Sequence, residues 1–269
     1  MTTSHQPRRV SRALLLTCAL AITMTRARSL NAQAAQPDNI VILGFGQAGT
    51  WISQLYLGSA AATDNILQLS GLPVFYTGPC PGECPFATII LPGFGAATYP
   101  PTNEPIPGGD GIMTLYIAPE DGVTLPTVRA RVINTSQSCQ ALELPVFRES
   151  ALVALNPTLL AFPGAQRNAG GHSNLTLGNL LPLDGTARSS ITVQIDLHTL
   201  DGMTAGATTA TVDSGQTLFL LDVLAQLGAA SFDGGELIVR KTSGDGYLWG
   251  FLSTVFADGG VAISTGANP

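Results

Sequence analysis

The sequence predicts an all-β fold of two tandem antiparallel β-sandwich domains, with one short helical turn in the second. Three observations support this prediction: strands with period-2 alternation, turns built on glycine, and low charge beside a high apolar fraction. Charged residues are 11% of the 269-residue chain and apolar residues 45%, with 30 Gly and 18 Pro. This composition suits short strands joined by tight turns, whereas disordered chains combine high charge with few apolar residues.

The clearest strand is Ile191–His198, where apolar and polar residues alternate. Its apolar set is Ile191, Val193, Ile195 and Leu197. Such alternation predicts a strand of an antiparallel sheet with one face on a core and one face in water. Further strands are expected at residues 128–134 and 247–256, and both Trp51 and Trp249 should pack in or beside a core. Glycine turns separate the predicted strands at Pro92-Gly93, Pro107 to Gly111, Asp201-Gly202, Ser214-Gly215, Asp245-Gly246 and Asp258 to Gly260.

One segment has helical spacing. In residues 221–228 the apolar side chains recur at helical intervals, and Gly228 stands where a helix C-cap is expected. The segment is short, so it predicts a single helical turn at the edge of a sandwich. Residues 148–157, flanked by Pro145 and Pro157, form the expected seam between the halves.

The first 34 residues have the composition of a cleavable signal peptide. Arg8, Arg9 and Arg12 precede an apolar stretch at residues 13–24, and Ala32-Gln33-Ala34 supplies a cleavage site. Twin-arginine export and a lipobox ending at Cys18 match less well, and the run is short for a permanent anchor. We therefore expect a signal peptide at 1–34, domains at 35–149 and 150–269, and a secreted, periplasmic or cell-surface protein without a membrane span after cleavage.

Charge narrows the class of partner. The whole chain has a formal net charge of −6, and loss of the five leader arginines brings the mature chain to −11. Its remaining basic residues are scattered, so the surface should repel phosphate backbones and anionic lipids. We therefore expect no nucleic-acid partner. The expected partner is an unknown protein or glycan.

Cysteine usage predicts a disulfide. Export implies oxidising surroundings for the mature cysteines Cys80, Cys84 and Cys139. Cys80 and Cys84 could bridge one another, or one of them could pair with Cys139. A zinc site would need more ligands than these, and the mature histidines, His172 and His198, lie in the other half. No metal and no cofactor are expected.

The two halves also share a weak internal sequence repeat. Residues 52–59 align with residues 172–179, sharing a Ser, two Leu and a Gly in register. Together with residues 213–224 (DSGQTLFLLDVL) and 234–239 (GGELIV), these segments resemble a pattern in bacterial secreted proteins with tandem immunoglobulin-like β-sandwich modules. The resemblance implies that these segments serve packing and turn formation. The function of such modules is largely unknown. The first half departs from the pattern at residues 79–85 and 92–107.

Two motifs imitate catalytic or cofactor sites. Gly44, Gly46 and Gly49 follow an apolar strand as in a dinucleotide-binding loop, but the next residues match the strand at 172–179 rather than a helix. A glycine-rich hairpin is therefore favoured over a ligand-binding loop. Ser173 lacks the second glycine of a nucleophile elbow, and His172 beside it should point to the opposite face.

The remaining polar residues suggest structural roles. His198 is expected on the solvated face of its strand. The acids sit mostly in glycine turns, namely at Asp110, Asp121, Asp201, Asp233, Asp245 and Asp258. Calcium binding by such turns stays open, although no EF-hand-type loop is present. The sequence thus favours a non-enzymatic interaction, adhesion-like or structural module, with an extracellular hydrolase drawing acids from separate turns as the alternative.

Overall fold

The computed structural model describes residues 38–73, 84–100, 111–119, 124–136, 141–180 and 188–266. Within these ranges the chain forms antiparallel sheets and two short helices. The predicted all-β antiparallel sandwich fold is confirmed. No described helix combines the length and apolar character needed to cross a membrane.

The strands of the first half join one nine-stranded sheet, ordered β4-β3-β6-β1-β2-β7-β8, with β5 on β2 and β9 on β1. The strands are β1 (Ile40–Ala48), β2 (Trp51–Gly58), β3 (Asn65–Pro73), β4 (Cys84–Leu91), β5 (Ala96–Tyr99), β6 (Gly111–Pro119), β7 (Thr127–Asn134), β8 (Ala141–Glu143) and β9 (Val146–Arg148).

The second half forms two sheets, ordered β10-β17-β13-β14 and β16-β11-β12-β18-β19, with β15 on β12. The strands are β10 (Leu159–Pro163), β11 (Gln166–Asn168), β12 (Gly171–Leu180), β13 (Ile191–His198), β14 (Thr204–Val212), β15 (Thr217–Leu220), β16 (Phe232–Asp233), β17 (Glu236–Ser243), β18 (Tyr247–Phe256) and β19 (Val261–Thr265). The helices are α1 (Glu149–Leu155) and α2 (Val223–Gln226).

The pairing scheme of the first half recurs in the second. The run β4-β3-β6-β1 corresponds to β14-β13-β17-β10, and β2-β7-β8 with β5 on β2 corresponds to β12-β18-β19 with β15 on β12. The two halves differ in the strand that connects these two groups of strands. β1 is continuous across a bulge at Gly44 (φ +76°), whereas the second half breaks the same strand at Gly164 (φ +80°) into β10 and β11.

A buried serine marks the same hairpin in each half. The backbone N–H of Gly46 donates to Ser53 Oγ at 2.9 Å, and that of Gln166 donates to Ser173 Oγ at 3.0 Å. Each donor lies seven residues before its serine, and both serines are buried. Because a buried N–H without an acceptor costs about 1–3 kcal/mol, the hydroxyl groups stabilise the two hairpins in the same way.

Several local predictions are confirmed. β13 and β18 have the expected bounds, and the predicted strand at 128–134 is β7. The side chains of Ile191, Val193, Ile195 and Leu197 are all buried, while the alternate positions are half-buried. Trp249 is buried and Trp51 half-buried. The helical turn is α2, and Gly228 follows it with φ +84°.

The seam between the halves contains a helix that the sequence prediction missed. α1 occupies most of residues 148–157. Asn39 donates from Nδ2 to Glu149 at 2.6 Å, and Ser150 donates from its backbone N–H and hydroxyl to Asp38 at 3.0 and 2.8 Å. These bonds to the residues just before β1 attach the helix to the first half.

Each half encloses its own apolar core. The core of the first half includes Phe45, Leu55, Leu67, Leu69 and Leu115. The core of the second half includes Phe162, Leu175, Ile195, Leu237 and Val239.

A third apolar cluster, hereafter the shared cluster, lies where the halves meet. It joins Val41, Leu43 and Tyr116 of the first half to residues of the second: Leu180, Tyr247, Trp249 and Phe251, with Leu152 of α1. The other face of β1 serves the first core, so both faces of this strand are buried. That explains why residues 40–43 contain no polar side chain. A buried hydroxyl pair, Thr114 and Thr217 at 3.2 Å, also bridges the halves.

Candidate functional site

The glycine run from Gly44 to Gly49 lies in a β-hairpin and not in a dinucleotide-binding loop. β1 turns at Gly49 and Thr50 into the antiparallel strand β2, with Ala48 paired to Trp51. A dinucleotide loop must lead into a helix, so the ligand-binding alternative is wrong and the hairpin prediction is confirmed. Gly44 has a packing role: a Cβ there would lie 2.5 Å from the Phe251 ring of the second half.

Ser173 cannot act as a surface nucleophile in this fold. Its side chain is 0% exposed, and its hydroxyl group is shared between Gln166 N–H and Thr254 Oγ1 at 3.0 Å each. His172 is half-buried on the other face of β12, as predicted. His198 is half-buried as well, with Nδ1 3.3 Å from the Gly202 carbonyl oxygen.

The turn aspartates that the structure describes accept hydrogen bonds from their own turns or from a neighbouring segment. The Thr199 hydroxyl group donates to Asp201 and lowers its carboxyl pKa. The hydroxyl and backbone N–H of Ser189 both donate to Asp245 at 2.7 Å and lower its pKa. Among the described residues no three or more His, Cys, Asp or Glu side chains cluster as metal ligands. Asp110 and Asp121 lie outside the described ranges.

The disulfide prediction falls largely outside the described residues. Cys80 and Cys139 are not among them, and Cys84 is described only by its backbone, as the first residue of β4. The pairing of these three cysteines therefore stays a prediction.

A cleft of about 600 Å³ opens at one end of the second half. We call it the β11 cleft, because β11 supplies Arg167 and Asn168. The other lining residues are Ala169, Gly171, His172, Asp222, Ala230, Ser231, Val255, Phe256 and Ala257. Neither a periodic pattern nor a motif connects these residues in sequence; four separate segments of the second half bring them together.

The charges in the β11 cleft compensate one another. Arg167 Nε donates to both Asp222 carboxylate oxygens, at 3.1 and 3.0 Å, and its Nη1 donates to the Ala230 carbonyl oxygen. Asp222 has a left-handed backbone (φ +45°), held by its N–H bond to Asn174 at 2.9 Å. The cleft therefore presents a neutral ion pair beside apolar groups, including the partly exposed ring of Phe256.

The β11 cleft contains a Ser, a His and an Asp, which are the residue types of a catalytic triad. These side chains are not joined by the hydrogen bonds of a triad. A triad requires the histidine to hydrogen-bond both partners. In the described part of the chain no hydrogen bond joins His172 to Ser231 or Asp222, and Asp222 is engaged by Arg167. Asp222 is the one carboxylate among the lining residues, whereas glycoside hydrolysis needs two.

A second feature lies in the first half, in the turn between β4 and β5. Phe94 is 75% exposed and has a left-handed backbone (φ +52°). Bulky side chains rarely adopt this conformation, because Cβ approaches the following carbonyl oxygen. Four bonds hold the turn: Phe94 N–H to Ala61 O, Gly95 N–H to Pro92 O, Ser59 N–H to Gly95 O and Gly93 N–H to Asp64 Oδ1, at 2.8, 2.8, 2.9 and 3.1 Å. We call residues 92–95 the Phe94 turn.

The second half builds the same turn with glycine. β14 and β15, the counterparts of β4 and β5, are joined through Gly215 (φ +75°). Gln216 N–H donates to Asp213 O at 2.9 Å and Asn179 N–H to Gln216 O at 3.0 Å, repeating two bonds of the Phe94 turn. The left-handed position thus carries glycine in one half and an exposed phenylalanine in the other.

Sequence reasoning identified a Pro-Gly turn at 92–93 but missed Phe94. The signal was present, since an alignment of the two halves extended to residues 92–95 and 213–216 places Phe94 opposite Gly215. Glycine at that place indicates a left-handed residue in this type of turn. Phe94 therefore stands as an unusual aromatic residue at a position where this turn favours glycine.

The comparisons with known proteins assign no family. No protein-family model matches the chain, and no curated protein does. Among solved structures, a chaperone–tip adhesion subunit pre-assembly complex, CsuC–CsuE of the archaic chaperone-usher Csu pili of Acinetobacter baumannii, is 12% identical. The match covers 82% of this chain and 93% of that one, with a TM-score of 0.15. A score this low supports no argument about the present protein.

Proposed function

We propose that the protein is an exported, non-enzymatic interaction protein of two immunoglobulin-like sandwich modules, and that Phe94 is its contact residue for another protein. The recurrent strand pairing, the paired glycines Gly44 and Gly164, and the paired serines Ser53 and Ser173 support a duplicated module. The leader supports export. The buried Ser173 and the single carboxylate of the β11 cleft favour a role without catalysis.

The observation that carries the proposal is the exposed, strained Phe94. A left-handed backbone at a non-glycine residue costs about 1–2 kcal/mol. The ring is 75% exposed, so burial within the chain returns little of that cost. Glycine at the same place in the other module shows that the turn itself does not need the ring. Strained residues and exposed aromatic side chains are both typical of contact sites.

Replacing Phe94 with glycine should stabilise the fold. The strain at φ +52° is relieved, and part of the gain is offset by the greater freedom of glycine in the unfolded chain. We expect the free energy of unfolding to rise by about 1 kcal/mol, measured by urea denaturation followed by circular dichroism.

The matched control is Phe94→Ala, which removes the ring but keeps the strained backbone. Its free energy of unfolding should stay within about 0.5 kcal/mol of wild type. If both variants instead lose more than about 1 kcal/mol, the ring serves the fold, and the proposed contact role is wrong.

A further inference from the structure

We infer that the β11 cleft binds a neutral saccharide, with one face of a pyranose ring on Phe256 and the hydroxyl groups of the sugar towards the polar side chains. The inference goes beyond the proposed protein contact at Phe94 and does not depend on it. The volume of the cleft, about 600 Å³, lies within the range of about 300–1,000 Å³ that is usual for small-molecule sites.

The charges of the β11 cleft favour a ligand without net charge. Arg167 is paired with Asp222, whose two carboxylate oxygens both accept from Nε. An anion would have to compete with that carboxylate, and it would approach a chain whose formal net charge is −6. A cation would find the one carboxylate of the lining already engaged by Arg167. A neutral ligand meets neither obstacle.

Polar side chains in the lining keep hydrogen-bonding capacity for a ligand. In the part of the chain that the structure describes, His172 and Ser231 have no hydrogen-bond partner. The Nη2 group of Arg167 makes no hydrogen bond to a described residue either. Each carboxylate oxygen of Asp222 accepts one bond from Arg167 and has a further lone pair. The cleft therefore offers both donors and acceptors.

This set of polar groups disfavours an apolar ligand and suits hydroxyl groups. An apolar ligand would exclude water from His172 and Ser231, and each buried polar group without a partner costs about 1–3 kcal/mol. A hydroxyl group donates one hydrogen bond and accepts others, so it satisfies donors and acceptors alike. A sugar carries several such groups around one ring, which matches a cleft whose polar groups come from separate segments.

The apolar part of the lining matches the other side of a sugar. Val255, Phe256 and Ala257 lie at the end of β18 and just beyond it. Phe256 is 38% exposed, so its ring offers apolar surface to a ligand. The face of an aromatic ring is partly negative and attracts the hydrogens of polarised C–H groups. A pyranose ring presents C–H groups on its faces and hydroxyl groups around its rim, so one ring contacts both parts of the lining.

Hydrogen bonds between segments hold the wall of the cleft in place before a ligand arrives. Asn168 donates from Nδ2 to Asp233 at 2.9 Å and accepts the Gly170 N–H at 2.7 Å. The Ala257 N–H donates to the Gly170 carbonyl oxygen at 2.8 Å. A pre-ordered site loses little conformational entropy on binding. This matters for a ligand that has no charge to add affinity.

Saturation-transfer difference NMR of the mature protein with simple glycosides tests the inference. The neutral probes are the methyl pyranosides of glucose, galactose, mannose and N-acetylglucosamine. The methyl glycoside of glucuronic acid is the anionic comparison, and a neutral blocked dipeptide is the comparison without a sugar ring. We expect saturable binding of at least one neutral glycoside. Its affinity should not change between about 50 and 500 mM NaCl, because salt screens only charged interactions.

Variants of the lining place the binding in the β11 cleft. Phe256→Ala removes the ring and should weaken binding by at least about fivefold. Ser231→Ala removes one free hydroxyl group and should weaken binding by about two- to tenfold. Phe256→Tyr keeps the ring and should bind like wild type. Leu200→Ala is the matched control, because Leu200 is 85% exposed and lies outside the lining; it should also bind like wild type.

Three results would overturn the inference: no binding of any neutral glycoside, tighter binding of the glucuronide or the dipeptide, or lining variants that bind like wild type. The Ser231 side chain is exposed, so Ser231→Ala should fold and decides the test even if Phe256→Ala does not fold. The proposed function is tested separately, because the stability of the Phe94 variants does not depend on saccharide binding.

Discussion

Replacing Trp249 with alanine is expected to lower the free energy of unfolding by about 3–5 kcal/mol, the usual cost of emptying a buried aromatic site. Trp249 is 4% exposed and lies in the shared cluster between the halves. Its ring lies against the backbone of Gly178, where a Cβ would come within 1.9 Å of a ring carbon. No smaller side chain fills that space, so the cavity persists. Urea unfolding followed by circular dichroism measures the loss.

Trp249→Phe is the matched control. The indole Nε1 has no hydrogen-bond partner among the described residues, so phenylalanine forfeits packing volume but no polar contact. Its loss should be less than half that of the alanine variant. If Trp249→Ala lost under about 1 kcal/mol, the shared cluster would contribute little to stability, and the packing described here would be wrong.

A pair of glycine variants should separate backbone strain from contact between the halves. Gly44 and Gly164 occupy the same place in the two halves, with φ of +76° and +80°. A Cβ on Gly164 meets nothing within 4 Å, whereas one on Gly44 meets the Phe251 ring at 2.5 Å. Gly164→Ala should therefore cost about 1–2 kcal/mol from strain alone. Gly44→Ala should cost about 1–3 kcal/mol more, because the buried ring must move.

Thermal or urea unfolding of both variants measures the two losses in the free energy of unfolding. Their difference is the cost of the contact between Gly44 and Phe251. Equal losses would mean that Phe251 does not press on Gly44 and that the halves are not in close contact there. A further Phe251→Leu change in the Gly44→Ala background should recover part of the extra loss, since the shorter side chain leaves room for the methyl group.

Local pattern was enough to predict the strands and the small helix. The alternation from Ile191 to Leu197 is set by a period of two residues, and the fold preserves it because one face of β13 covers the second core. Gly228 was assigned correctly because a left-handed residue after a helix favours glycine. Such rules connect residues that are close in sequence.

Features that depend on distant segments could not be predicted. The shared cluster joins β1 to β18, about two hundred residues apart, and an apolar run such as residues 40–43 does not reveal what covers its second face. The β11 cleft likewise draws on four separated segments. Helix α1 was missed because the flanking Pro145 and Pro157 made residues 148–157 look like a linker.

The two halves form one body through the shared cluster, which fixes the positions of the Phe94 turn and the β11 cleft on it. Differential scanning calorimetry of the mature chain measures whether the halves unfold together. Because Val41 and Leu43 of one half are buried against Trp249 and Phe251 of the other, neither half keeps its buried surface alone. We expect one transition with equal calorimetric and van't Hoff enthalpies. Two resolved transitions would mean that the halves unfold independently and that the shared cluster does not couple them.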